Sequence, residues 1–421
     1  VAAQRTNLSL LRDRSFGPFY AGKVLSNSGV WMQNLAAAVL MFDLTGSAFM
    51  VGMVSAFQFA PAFLLALPSG ALSDRYDRRR LLMIGRIVSG VTVAGLGALV
   101  LSGGRDGFGG PPVLLVAILI AGIGWTLSQP AMMALAPNLV PDEDLEAALA
   151  LSASVPSVGR TVGPIAAAGL FVVGGAGLAL LVAGMFHLVF AAMLTTIRVR
   201  ERFRPDGRPG LLGGVRHLVS DDRRAGLLVL GVVVLGFGSD PAITLAPSLA
   251  DELGGGEGLV GVLVAMFGVG AIVLSVTFRW LRHSMSLAGT GVLGFVILAA
   301  GLFVAASSQL IALVQFGFLI QGAGFMMAMV SLNTRVQQRV PELLRGRVMA
   351  VWGMAFLGLR PLAALFDGAL GDLFGVRATM VIAGIIALLG IGFARVRDAQ
   401  PEFPGGAAHD PADASRVERS T

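Results

Sequence analysis

Gly70-Ala71-Leu72-Ser73-Asp74-Arg75-Tyr76-Asp77-Arg78-Arg79-Arg80 is a dense charged turn between two long apolar stretches, residues 47–72 and 81–101. A connection this short makes the two stretches antiparallel neighbours. Arg75, Arg78, Arg79 and Arg80 mark the cytoplasmic face, because basic residues near the ends of spans resist translocation. Gly70 lets two helix backbones approach closely. Asp74 ends its helix as a carboxylate suited to the positive N-terminus of a neighbouring helix, and the arginines can pair with acidic groups nearby. The turn therefore reads either as a latch that holds two bundles together in one state, or as a positive-inside anchor alone.

Composition points the same way. The chain has 421 residues, of which 55% are hydrophobic and 13% charged. That charged share is about half the usual 25%, so the exterior faces lipid. A net charge of +6 with one lysine among 31 basic residues raises the question of nucleic acid. The arginines fall between apolar runs rather than on one face, which is membrane topology, and nucleic acid is excluded as a partner. No cysteine occurs, so disulfides and thiolate metal sites are excluded, and His187, His217, His283 and His409 are too scattered for a metal cluster. No cofactor is expected. The first apolar run is longer than a signal-peptide core and contains Lys23, Asn27 and Asn34, so no cleavable signal is expected.

Each span needs about 20 mainly apolar residues. Twelve such stretches are present, roughly 16–42, 47–72, 81–101, 112–138, 145–173, 176–197, 225–250, 257–281, 285–306, 309–334, 346–370 and 376–396. An even number puts both termini on one side. Nearly all the arginines of the loops and span ends fall on the side of Arg75–Arg86, with only Arg105 and Arg377 on the other, so both termini are cytoplasmic. The chain also repeats itself. Leu119-Ile120-Ala121-Gly122-Ile123-Gly124 matches Leu319-Ile320-Gln321-Gly322-Ala323-Gly324, Val51-Gly52 matches Val260-Gly261, and Pro164 falls opposite Pro361. The expected organisation is a cytoplasmic segment 1–15, a six-helix bundle 16–198, a basic linker 199–224, a second six-helix bundle 225–397 and a disordered tail 398–421.

The pattern G-x-L-x-D-R-x-x-R-R-R resembles the signature loop between the second and third helices of the major facilitator superfamily of transporters. Asp77 stands where that signature has glycine, and Asp tolerates the left-handed turn expected there. Leu25-Ser26-Asn27, Trp31-Met32-Gln33, Asp43-Leu44-Thr45-Gly46-Ser47, Gln58-Phe59-Ala60-Pro61 and Arg345-Gly346-Arg347-Val348-Met349-Ala350 look like the bacterial exporter branch that includes the enterobactin exporter and macrolide efflux proteins. The resemblance implies an all-α membrane protein of twelve transmembrane helices in two pseudo-symmetric six-helix bundles. It also implies that the loop arginines pair with a carboxylate at the inner end of the fourth helix, where Asp142 and Glu143 lie. Those two also read as ordinary carboxylates ahead of the helix that starts at Leu145.

Several constellations are candidates for the transport site. Lys23, Asn27 and Asn34 share one face of the first helix, flanked by Ser26, Trp31 and Gln33, and face either a cavity or other helices. Lys23 is also placed to snorkel towards the cytoplasm. Met132, Met133, Met326 and Met327, near Trp125, Gln129 and Gln315, suit a cavity for varied apolar ligands or plain core. Gly159, Gly163 and Pro164 resemble the GxxxGP packing motif of the antiporter branch. Of the 25 acidic residues, Asp240 alone sits near mid-depth by these boundaries. Ser239-Asp240-Pro241 reads as an N-cap and a helix break. Arg160 and Arg360 lie at similar depth, so Asp240 either alternates between an arginine and a proton, or is a permanent ion pair or a cap.

The expected protein is a secondary exporter of small amphipathic molecules of the drug, antibiotic or siderophore type, coupled to protons and working by alternating access. It would be a monomer in the cytoplasmic membrane of a bacterium and a determinant of multidrug resistance. Nutrient uptake by the same fold, or a non-transporting sensor, are the alternatives. No ATP-binding loop and no clustered nucleophile, base or metal set is present, so neither a primary pump nor an enzyme is expected.

Overall fold

Glycines at positive φ (Gly46, Gly104 with Gly109 and Gly110, Gly175, Gly254 and Gly375) mark five of the turns between the helices of this chain. The computed structural model describes residues 7–197, 199, 211–281 and 285–396, and no strand occurs among them. In a bilayer the helix is the natural outcome, because it satisfies its own backbone donors and acceptors where no water can. α1 (Asn7–Leu11) precedes α2 (Phe16–Thr45), which ends on Gly46 at φ +62°. α3 (Ala48–Leu64), capped by the Ser47 hydroxyl, and α4 (Ala66–Arg75) form the second rod. α5 (Arg78–Gly107) and α6 (Gly110–Leu135) follow. α7 (Leu145–Thr196) contains two rods joined at Gly174 and Gly175. Gly159 and Gly163 pass Asn27 and Trp31 of α2, whereas Ala183 and Phe190 pass Gly29 and Gly22, so the two arms run in opposite directions.

The second half follows α8 (Leu211–Arg216). α9 (Arg223–Ser239), α10 (Pro241–Thr244) and α11 (Ala246–Glu252) share one rod, followed by α12 (Glu257–Leu281), α13 (Leu287–Ser307) and α14 (Ile311–Arg339). α15 (Glu342–Gly353) meets α16 (Arg360–Phe374) through a π turn at Met354–Gly358, and α17 (Val376–Ala394) completes the set. Among the described residues, nine helical stretches are long and apolar enough to cross a membrane. α7 carries two passes in one stretch, α3 is short at 17 residues, and α2 is diluted by its polar stripe. Among the described residues the rods number twelve, in two six-helix bundles.

The internal repeat has a packing reason. A Cβ at Gly122 would strike the Gln58 carbonyl of α3, and one at Gly322 would strike the Phe267 carbonyl of α12. The repeated glycine thus serves the same crossing in each half. Gly52 on α3 meets the Ala364 carbonyl of α16, and its counterpart Gly261 on α12 lies 2.6 Å, measured from an added Cβ, from Ala168 Cα of α7. These two crossings join the halves.

The halves are clasped at the end opposite the basic turns. Asp372, near the end of α16, accepts from Ser47 Oγ (2.6 Å), Ala48 N (2.7 Å) and Phe49 N (3.2 Å), so a carboxylate of one half caps the first turn of α3 in the other. At the basic end, the arginines close helix termini within their own half. Arg79 donates to the carbonyls of Leu194 (2.6 Å) and Thr195 (2.5 Å), and Arg335 to those of Ala394 (2.7 Å) and Val396. Arg339 pairs with Asp222 through two contacts of 3.0 and 3.1 Å, while Asp222 caps α9.

Two expectations are corrected here. Asp77 is not left-handed: at φ −60° and ψ 117° it is the N-cap of α5, accepting from Arg80 N at 2.7 Å. Arg86, grouped by sequence with the loop arginines, is buried inside α5. The side chains of Asp74 and Asp142, residues 200–210 of the linker and the tail 398–421 lie outside the described residues.

Candidate functional site

Pro241 cannot donate a backbone hydrogen bond, and the seventh rod divides there, leaving Asp240 at the junction. Asp240 is nevertheless helical, at φ −68° and ψ −34°, and its side chain caps nothing. The cap reading is overturned by its partners. Oδ1 accepts from Arg360 Nε at 3.0 Å and Oδ2 from the Thr244 hydroxyl at 2.5 Å. Both members of the ion pair are buried. Arg360, the first residue of α16, also donates Nη2 to Asn34 Oδ1 of α2 at 3.3 Å. Asn34 in turn donates to Gln58 Oε1 (3.1 Å) and Ser55 Oγ (3.4 Å) of α3, and Gln58 donates to the Val30 carbonyl. A polar chain therefore runs from Asp240 in one half, through Arg360, into two helices of the other.

Arg160 lies beside this chain but outside the ion pair. Its Nη2 reaches Ser239 Oγ at 3.5 Å, and its Nε has no hydrogen-bond partner among the described residues. Its guanidinium carbon stands 4.1 Å from the ring centre of Phe325, 5.1 Å from Trp31, 5.4 Å from Phe356 and 5.7 Å from Phe267. Arg360 shares Trp31, at 4.6 Å, and adds Phe59 at 5.1 Å. Cation–π contact of this kind holds a guanidinium in a poorly hydrated place.

The remaining candidates divide between this cluster and the interior of the first half. Lys23 does not snorkel: it is buried and donates to the Ser152 carbonyl at 3.3 Å. Asn27 Oδ1 and Gln129 Oε1 are buried without a hydrogen-bond partner among the described residues, and Asn27 lies against Gly159 of α7. Gly163 packs on Ser28 and Trp31, with Pro164 buried beyond it. Trp125 stacks edge-on to Phe59 at 6.3 Å and lines a narrow crevice with Gln33, Gln58 and His187. Met132 is buried, its sulfur 3.8 Å from Arg86 Nη2, whereas Met133 is 71% exposed, one turn beyond Gln129 on α6. Met326 and Met327 are buried beside Phe325, and Gln315 lies on the second turn of α14, away from the cluster. Of the latch residues, Arg75 and Glu143 are exposed, Gly70, Arg78 and Arg79 are part-buried, and Arg79 is committed to the end of α7.

Sequence reasoning missed five participants. Asp367 is a second buried mid-helix carboxylate, because α16 runs on to Phe374 and its Asp is not at a span end. Thr244, one turn from Asp240, carries no signal of its own in an apolar run. Phe267, Phe325 and Phe356 come from three separate segments. The buried set Arg86, Ser26 and His187, joined by contacts of 3.1 and 2.8 Å at Ser26 Oγ, had no local signature either.

Twelve helices in two related bundles, clasped at one end and joined at mid-depth by a buried polar chain, define a membrane transporter of the major facilitator fold. The chain belongs to the family described as transmembrane secretion effector, matched over residues 5–414. It is 26% identical to the enterobactin exporter EntS of Citrobacter koseri over 425 residues, 95% of this chain and 98% of that one. The same identity holds for EntS of Salmonella typhimurium over 426 residues, again 95% and 98% of the two chains. Among solved structures it resembles the nucleoside transporter NupG (TM-score 0.70, 12% identity, 89% of this chain and 98% of that one). It also resembles a bacterial homologue of the iron transporter ferroportin in an inward-facing state (TM-score 0.66, 17% identity, 93% and 100%). The protein is a multi-pass transporter, not an enzyme.

Proposed function

We propose that this transporter exports small amphipathic molecules, of the drug, antibiotic or siderophore type, by alternating access coupled to proton entry. The observation that carries this reading is that Arg360 bonds both Asp240 and Asn34, so one guanidinium ties a buried carboxylate of its own half to the other half. Protonating Asp240 removes its attraction for Arg360 and frees the guanidinium to redistribute its bonds across the interface. A differential interaction of about 1–3 kcal/mol is enough to shift a two-state equilibrium substantially. In this reading the basic end and both termini face the cytoplasm of a bacterium, the protein acts as a monomer in the cytoplasmic membrane, and the clasp at Asp372 corresponds to an inward-open state. When the basic end closes, Gly70, Asp74, Arg75, Arg78, Arg79, Asp142 and Glu143 form the latch there.

The similarity to exporters over almost the whole chain supports efflux as the direction. The test is accumulation of a panel of fluorescent amphipathic probes in an efflux-deficient host expressing the protein. Export lowers accumulation of at least one probe, and a protonophore or Asp240→Asn restores it to the level of cells without the protein. Raised accumulation establishes uptake instead, and export that survives both treatments removes the proton from the mechanism.

A further inference from the structure

The deep cations of the helices are not all paired with carboxylates. At the level of the Asp240 junction and in the interior of the first half, Lys23, Arg86 and Arg360 are buried and Arg160 part-buried, while the buried carboxylates near them are Asp240 and Asp367. Arg360 holds Asp240, and Lys23 and Arg86 rest on oxygens of their own half. Arg160 is different. It lies on α7 of the first half, faces Phe267, Phe325 and Phe356 of the second, and has no carboxylate partner among the described residues. Like Phe356 it keeps some exposed surface, where Phe267 and Phe325 are buried, so the two border the space between the bundles. A cation this deep is costly unless something completes it. Its bare Nε and its long 3.5 Å contact to a hydroxyl leave donors for a carboxylate, which a guanidinium engages in a planar two-pronged contact.

We propose that Arg160 is the anion receptor of the central site, and that the transported molecule is an aromatic organic acid whose ring lies among Trp31, Phe267, Phe325 and Phe356. The four rings offer offset and edge contacts to a flat apolar body, while the guanidinium neutralises the acid. Such a ligand touches both halves at once, which a molecule must do to travel with their rocking. Cationic amphiphiles are disfavoured, because Arg160 repels them at the same spot. This assignment rests on the central cluster being the substrate site of the export reading, but it needs no gradient to be tested.

The experiment uses purified full-length protein in detergent and two probes of one shape, anthracene-9-carboxylate and anthracene-9-methylammonium. Binding is read by energy transfer from tryptophan. The carboxylate is expected to bind about tenfold or more tightly than the amine, the ratio a charge-assisted hydrogen bond supplies. Arg160→Gln abolishes that preference by weakening the carboxylate about tenfold while leaving the amine unchanged or improved, and Arg160→Lys retains part of it. The wild-type comparison requires no variant, so a misfolded Arg160→Gln does not shield the assignment. Equal or weaker binding of the carboxylate, including no binding of either probe, overturns it, as does an Arg160→Gln protein with unchanged preference. Loss of proton-driven export with this preference intact leaves the receptor assignment standing and removes only the coupling.

Discussion

Asp372 caps the backbone of Ala48 at 2.7 Å although the two residues belong to different halves of the transporter. With Ser47 and Phe49 it forms three contacts that exist only while the two bundles meet at that end. An N-cap carboxylate contributes about 1 kcal/mol. Asp372→Ala is therefore expected to shift the population roughly fivefold towards the state open at that end. Spin labels on cysteines at Gly103 and Leu310, in a chain with no native cysteine, should show a longer distance gaining weight in the variant. Unchanged distance distributions would mean that the glycine crossings alone hold the clasp.

Asp77 makes a separable prediction at the other end. It caps α5, with ordinary dihedrals, where the family signature has glycine. Asp77→Gly is expected to cost only a few tenths of a kcal/mol, and Asp77→Ala about 1 kcal/mol. Thermal melting of the purified variants should rank wild type, then Gly, then Ala, with Ala about 2 °C below wild type. Equal melting points for Ala and wild type would show that the cap does not matter to the folded bundle.

The helices, their pairing and the repeat were legible because hydrophobic length and charge punctuation dictate them directly. The basic turn after Gly70 was legible as a boundary for the same reason. Asp240 was legible too, since a carboxylate in mid-span is rare enough to stand out. Its role as a cap was misread because Ser-Asp-Pro is a local signal, while Arg360 reaches Asp240 from 120 residues away. Asp367 was overlooked through a span boundary placed four residues short of the end of α16. The aromatic box around Arg160 joins segments that only the packing of two bundles brings together, so no single stretch announces it. Met132 and Met133 show the limit of composition: adjacent residues on a helix face different ways, one buried against Arg86 and one exposed.

Orientation has a direct check. Tyr76 is 58% exposed in the basic turn, and Gly103 is exposed near the opposite end of the same helix pair. In intact cells, a cysteine at Gly103 is expected to react with an impermeant maleimide added outside, and one at Tyr76 only after the membrane is permeabilised. Ser73 is a poor site for this purpose because it is buried. Reversed labelling would invert the topology and, with it, the direction assigned to the clasp.

The Asp240–Arg360 pair should be worth more as a pair than its members suggest. Both side chains are buried, so removing one leaves a charge without its counter-charge, at a cost of about 3–5 kcal/mol. Removing both leaves no charge stranded. Asp240→Asn and Arg360→Gln are each expected to lower the melting point clearly, and the double variant to recover a large part of the loss, giving an interaction energy of about 2 kcal/mol or more. Asn34 moderates the effect in Asp240→Asn, because it continues to accept from Arg360. Transport should follow a different pattern from stability. The double variant, though refolded, has no carboxylate at position 240 to take the proton and is expected to exchange ligand without responding to a pH gradient. Additive losses of stability would show that the two side chains act independently. A double variant that still exports down an imposed proton gradient would move the proton elsewhere, and Asp367, buried two turns along α16 from Arg360, is then the residue to replace.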